Sequence, residues 1–133
     1  KIYIDRKDTS YANLRIIANE KEVKNHLLEN DFIPVNLGDI NFSEQVDLFN
    51  NAECIAGLHG AGFANIVFCQ PGTKVIEFRS LNAGPVIENL ANINNLNYHS
   101  IIKEDTPIQK YGFPNQQGSI EIPIIQLSEM LKN

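Results

Sequence analysis

Short apolar runs alternate with amphipathic stretches along the whole chain. Ile2-Tyr3-Ile4 is rich in β-formers and reads as a first strand, followed by a polar loop over 5–11. Asn19 and Glu22 have the spacing of a capping box, and Val23 and Leu27 lie four apart on one face, so a helix is expected from Asn19 to a stop at Asn30. Phe32, Ile33, Val35 and Leu37 make a second strand, with Pro34 demoting it towards an edge. The pattern then repeats. Asn41 and Glu44 have capping-box spacing again, with Ser43 as a rival cap, and Val46 with Phe49 marks the buried side of a second helix.

Cys54-Ile55-Ala56 reads as a short buried third strand, ending in Gly57-Leu58-His59-Gly60-Ala61-Gly62. A short helix is expected over 63–68, closed by Pro71-Gly72, and Val75-Ile76-Glu77-Phe78 is a fourth strand. Pro85 suits the first turn of a helix carrying Val86, Ile87 and Leu90, and a fifth strand follows over 98–102. Residues 103–119 are polar and punctuated by Pro and Gly, too long for an ordinary connection, and so form a surface excursion or a functional loop. Pro123 opens a last helix with Ile124, Leu127 and Leu131 facing in. Wholly apolar strands joined by helices imply a parallel sheet covered on both faces, an α/β chain.

Composition narrows the function classes. The 133 residues suit one domain, 1–133, and 43% hydrophobic against 20% charged residues fits a globular core. A net charge of −5 argues against general affinity for nucleic acid or anionic lipid, while leaving room for a local basic pocket. No apolar run approaches the roughly 20 residues that cross a bilayer, and no targeting tract is present. Cys54 and Cys69 sit apart in apolar stretches, as two buried thiols of a reducing, cytoplasmic compartment would. Asparagine (17) and isoleucine (18) exceed a quarter of the chain, so a single Asn carries less functional weight than usual. The chain begins directly on a strand and reads as a piece of something longer.

The most informative segment is the glycine run 57–62 with Phe63, Ala64 and Asn65. It lies between a buried strand and a helix, where unpartnered amide N–H groups and the helix dipole favour an anion, most often a phosphate. Gly57 and Gly62 have the outer spacing of a P-loop, but Phe63 and Ala64 stand where Lys and Ser/Thr are required. The dinucleotide fingerprint fails because the glycines fall at 57, 60 and 62. His59-Gly60-Ala61-Gly62 echoes an esterase oxyanion strip, yet none of the six serines sits in a G-x-S-x-G elbow. The alternative is a glycine turn that only lets strand and helix pack closely.

Arg6, at the carboxyl end of the first strand, overhangs the same sheet edge, and Arg15 lies just before the first helix. A guanidinium holds two phosphate oxygens at once and stays charged. The competing reading is surface charge, or an ion pair with Asp5 or Glu20. Glu77 interrupts the fourth strand, where a buried carboxylate needs a partner: a ribose hydroxyl pair, or an arginine (Arg79 or Arg15). Capping alone accounts for Glu44. His26 and His99 are expected on a solvated helix face and a strand surface. No metal site is readable: the chain has no Asp-x-Asp pair, no H-E-x-x-H and no cysteine pair at ligand spacing.

In order along the chain, Arg6, Arg15 with Asn19-Glu20, Ser43-Glu44-Gln45, Gly57-Leu58-His59-Gly60-Ala61-Gly62 with Asn65, and Val75-Ile76-Glu77 resemble the motifs of glycosyltransferase family 61. That family includes bacterial capsular-polysaccharide enzymes, plant xylosyltransferases and eukaryotic O-linked N-acetylglucosaminyltransferases. The resemblance covers roughly residues 1–80, with Phe63 where the family commonly has Leu. It implies a GT-B enzyme of two Rossmann-like domains facing across a cleft, this chain being the C-terminal, donor-binding one. The fold so implied is a three-layer α/β/α domain whose mostly parallel five-stranded sheet runs in the order 3-2-1-4-5, counting strands along the chain. It also implies an inverting, metal-independent reaction with no cofactor. The donor is a nucleoside-diphosphate sugar, and the acceptor a glycan or protein. Arg6, Arg15, His59, Gly60, Ala61 and Gly62 become diphosphate contacts, Asn65 a further substrate-binding residue, Glu77 the ribose ligand, and Glu44 or Gln45 part of the cleft. The general base is expected from the missing N-terminal domain, His59 being the one local candidate. The competing class is a non-catalytic Rossmann-like module that binds a nucleotide or a partner protein. An unrelated phosphate-ester enzyme using the same helix end is weaker.

Overall fold

The computed structural model describes residues 1–6, 15–106 and 118–132. The expected loop from residue 7 onwards and most of the 103–119 excursion lie outside them. The main sheet consists of β1 (Ile2–Asp5), β3 (Ile33–Asn36), β4 (Cys54–Leu58), β5 (Lys74–Ser80) and β6 (Asn97–Lys103). Between β1 and β3 come β2 (Arg15–Ile17) and α1 (Glu20–Glu29). The helices α2 (Phe42–Asn50) and α3 (Val86–Ile93) precede β4 and β6, a 3-10 segment Ala61–Phe68 follows β4, and β7 (Gly118–Ile120) and α4 (Ile124–Lys132) close the chain. All the pairings of the main sheet are parallel. No helix among the described residues is long and apolar enough to cross a membrane.

The sheet order is β3-β1-β4-β5-β6. Counting its five strands along the chain, this is 2-1-3-4-5 and corrects the expected 3-2-1-4-5. The physical reason lies in the burial of each strand. Every residue of β1 and β4 is buried, so both need a neighbour on each side. β3, with Ile33 and Pro34 exposed, tolerates the open edge on that side of the sheet, as the half-exposed β6 does on the other. The expected order would have left the wholly buried β4 at that edge.

Successive residues of each strand serve opposite faces. Tyr3, Ala56, Ile76 and Phe78 join Val23, Leu27 and Leu127 of α1 and α4 in one core. Ile2, Ile4, Ile55 and Val75 join Phe49, Phe63, Ile66 and Ile87 in the other, under α2, the 3-10 segment and α3. The three α/β/α layers therefore carry two separate cores.

Not expected from sequence is a second, two-stranded sheet in which β2 and β7 run parallel, Arg15 opposite Gly118 and Ile17 opposite Ile120. Asn19 belongs to this arrangement rather than to a capping box. Its side chain caps no backbone N–H of α1. Instead its Nδ2 donates to the Ile122 carbonyl at 2.8 Å, and its Oδ1 accepts from the Ile122 amide at 3.0 Å. The second box does form: Asn41 accepts from the Glu44 amide and Glu44 from the Asn41 amide, each at 2.9 Å.

Candidate functional site

The winding of the chain reverses between β1 and β4. From β1 it passes through α1 out to β3, then returns through α2, beneath the other face, to β4 on the far side of β1. The connections that leave β1 and β4 therefore diverge and open a crevice at the strands' carboxyl ends, where open α/β sheets bind ligands. A cleft of about 230 Å³ lies there, with Arg6 and Arg15 on one side and Gly60, Ala61 and Gly62 on the other, over Ile4 and Leu37.

Both arginines are turned towards one backbone atom. Arg15 donates from Nη1 to the His59 carbonyl at 3.0 Å and Arg6 does so at 3.4 Å. Arg6 arrives from the end of β1; Arg15 is delivered by β2, whose position is fixed by β7. The carbonyl thereby orients two guanidinium heads side by side against the glycine turn, in a chain whose overall charge is negative. Asp5, one residue before Arg6, is paired with Lys24 at 2.7 Å. A lysine of α1 thus meets the carboxylate at the end of β1.

The glycines do different jobs. A Cβ on Gly57 would stand 3.2 Å from the Ile4 Cβ and 3.5 Å from the Phe63 ring, so Gly57 lets Phe63 lie across the strands. At Gly62 a Cβ would meet Leu37 Cδ1 at 3.0 Å and Ile4 Cγ2 at 3.2 Å. Both positions serve close packing of the turn onto β1, which is the alternative raised from sequence. Gly60 is the one whose Cβ would face a charged group, with Arg6 Nε 3.4 Å away.

His59 continues the line of β4, its amide donating to the Phe78 carbonyl at 2.8 Å. Its Nδ1 faces a carboxylate oxygen of Glu77. Glu77 is 0% exposed, and its other oxygen accepts from the Tyr98 hydroxyl. Burial, and then the hydrogen bond to Glu77, push the Tyr98 phenol above its ordinary range, so the group remains an O–H donor. Glu77 thus sits beneath His59 and not on the cleft wall, and neither alternative arginine partner takes its oxygens. Arg15 goes to the His59 carbonyl and Arg79 donates to the Gly84 carbonyl at 3.1 Å.

Two further expected residues are not brought to the cleft. Glu44 is engaged in its capping box on the exposed start of α2. Asn65 donates to Gln45 Oε1 at 3.0 Å, and Gln45 Nε2 donates to the Leu37 carbonyl at 3.0 Å. The pair ties the 3-10 segment and α2 to the Leu37 carbonyl that borders the cleft.

His26 and His99 also depart from expectation. His26 Nε2 meets Ser128 Oγ at 2.8 Å, joining α1 to α4. His99 is half-buried, and burial, then Lys74, hold its imidazole below the usual range. Sequence reasoning missed Tyr98 and Leu37. Tyr98 lies diagonally across from Glu77 because Val75 pairs with Tyr98, a register that no local pattern reveals.

The sequence signature of the family described as Glycosyltransferase 61 matches residues 1–76. The match takes in β1 through the middle of β5, and with them both arginines and the glycine turn. Over 125 residues the chain is 27% identical to Beta-1,2-xylosyltransferase RCN11 of Oryza sativa subsp. japonica, an alignment that covers 87% of this chain and 22% of that protein. The chain spans less than a quarter of that relative's length.

Proposed function

The chain belongs to glycosyltransferase family 61, and from that premise we propose that it is the donor-binding domain of an inverting, metal-independent glycosyltransferase. Its ligand is a nucleoside-diphosphate sugar, and the enzyme acts in polysaccharide or glycan biosynthesis. The observation that carries this reading is the convergence of Arg6 and Arg15 on the His59 carbonyl, beside the glycine turn and at the reversal of the sheet.

In an inverting displacement the acceptor hydroxyl oxygen bonds the anomeric carbon as the bond to the β-phosphate oxygen breaks. The electron pair leaves with the diphosphate, whose added charge is best met by fixed donors in a site closed to water. Arg6, Arg15, His59 and the amides of Gly60, Ala61 and Gly62 take that task. The proton of the acceptor goes to a base outside this chain, on an N-terminal domain across a GT-B cleft. On this reading the chain alone binds donor weakly and turns nothing over. Cys54 and Cys69, free and on opposite faces of the sheet, support a reducing, cytoplasmic setting.

Titration with uridine diphosphate, followed through backbone amide resonances, tests the reading. Shifts confined to residues 57–65 and to Arg6 and Arg15, with the monophosphate bound more weakly, are the expected outcome. Shifts elsewhere, or equal affinity for nucleosides without phosphate, favour a non-catalytic partner-binding module.

A further inference from the structure

Glu77, which has no exposed surface, links Tyr98 to His59. A carboxylate with no exposed surface is retained at considerable cost in desolvation unless its charge is answered locally. Here one answer is a phenol that stays protonated, and the other is the imidazole of His59, whose backbone carbonyl both arginines meet. Because Glu77 faces Nδ1, the proton on that side of the ring is held towards the carboxylate, and Nε2 is left as the atom on the opposite side. Arg15 and Arg6 converge on the His59 carbonyl, and His59, Ser80, Asp105 and Gly118 are among the residues that line a cavity of about 10 Å³.

Given the proposed diphosphate site, we infer that Glu77 is a positioning residue. It fixes His59 with a proton on Nδ1 and balances the positive charge of the ring when Nε2 also carries a proton towards the diphosphate. Tyr98 anchors the second Glu77 oxygen and so stops the carboxylate from rotating away. The arrangement follows the division of labour in which a buried carboxylate orients an imidazole and stabilises its charged form without itself becoming protonated. It gives Glu77 a role that needs no exposure to the cleft.

The test uses the protein labelled with nitrogen-15 in histidine, with inorganic pyrophosphate and uridine diphosphate as probes. Without ligand, His59 Nδ1 is expected to be protonated. With either probe bound, both ring nitrogens are expected to be protonated. Glu77→Gln keeps the shape and can still accept from Nδ1, but lacks the charge. In that variant Nε2 should stay unprotonated with probe present, and affinity should fall about tenfold, as for loss of a charge-assisted contact. Tyr98→Phe, which retains the charge, should keep both ring protons in the complex.

A merely structural Glu77 would leave ring pattern and affinity unmoved in the isosteric variant. Identical protonation and affinity within twofold of the parent therefore overturn the inference. If neither probe binds the parent protein, the donor-site reading fails instead. The ligand-free spectrum then decides the inference alone: a proton on Nδ1 supports it, and a proton on Nε2 only overturns it.

Discussion

The arginine pair and the glycine turn carry most of the binding chemistry proposed for this domain, and they respond to substitution in opposite ways. Arg6→Ala or Arg15→Ala removes one guanidinium from the cleft and should weaken uridine diphosphate binding by about 1.5–3 kcal/mol, measured by calorimetry, with the unfolding midpoint little changed. Gly62→Val should act on the fold, since its Cβ would press on Leu37 and Ile4. Thermal unfolding is expected to show a loss of about 1–3 kcal/mol, the usual cost of overpacking. Sequence alone suggests that a valine here fills the seat of the anion and leaves the fold largely intact; the neighbours that make it a packing position come from β1 and from the 3-10 turn Leu37–Asp39 after β3, whose approach depends on the sheet order. The cysteines are simpler. Burial pushes both thiols up to about 11, so at pH 8 only about one in a thousand is ionised. A thiol reagent should titrate neither in the native protein and both after denaturation.

At the scale of elements, the two Asn-x-x-Glu signals show how far local patterns reach. The pair Asn41 and Glu44 forms the reciprocal box that its spacing predicts, whereas Asn19 is drawn away by the backbone of Ile122, far along the chain. Nothing local announces the second partner. Asn41→Ala should cost about 0.5–2 kcal/mol in denaturant unfolding, the ordinary range for a lost cap. Asn19→Ala removes both hydrogen bonds to Ile122, orphaning its backbone groups, and a third to Glu22, and should cost at least as much, about 1–3 kcal/mol. It should also loosen β2, and with it Arg15, so uridine diphosphate affinity is expected to fall in this variant alone. The strands and helices of the main sheet were legible because each is an apolar run or a one-sided face. The three-residue strands β2 and β7 were not, since they are held by pairing with each other and by Ile17, Ile120 and Ile122 in the core.

For the whole molecule, fold class and family were within reach of the sequence, and the path of the chain through the sheet was not read correctly. The burial of β1 and β4 was visible as unbroken hydrophobicity, and Pro34 pointed to an edge, yet the expected order set β4 at the edge. The correction matters for function because the reversal between β1 and β4 is what opens the cleft under the two arginines. Of the expected site residues, Arg6, Arg15, Gly60, Ala61 and Gly62 line that cleft, while His59 meets the two arginines through its backbone carbonyl. Glu44 and Asn65 serve α2 and the 3-10 segment, and Glu77 works from below. Which side chains share the cleft was not legible, because a side chain's reach is set by elements remote in sequence.

Pro34 also guards the flank of the sheet. The Ile33 amide points inward to the Lys1 carbonyl at 2.8 Å, so by strand alternation the nitrogen of Pro34 points outward, and it bears no hydrogen. A second chain attempting to extend the ladder there would find a missing rung next to the exposed Ile33. Pro34→Val would restore that rung, and light scattering of concentrated solutions should then reveal self-association that the parent protein resists.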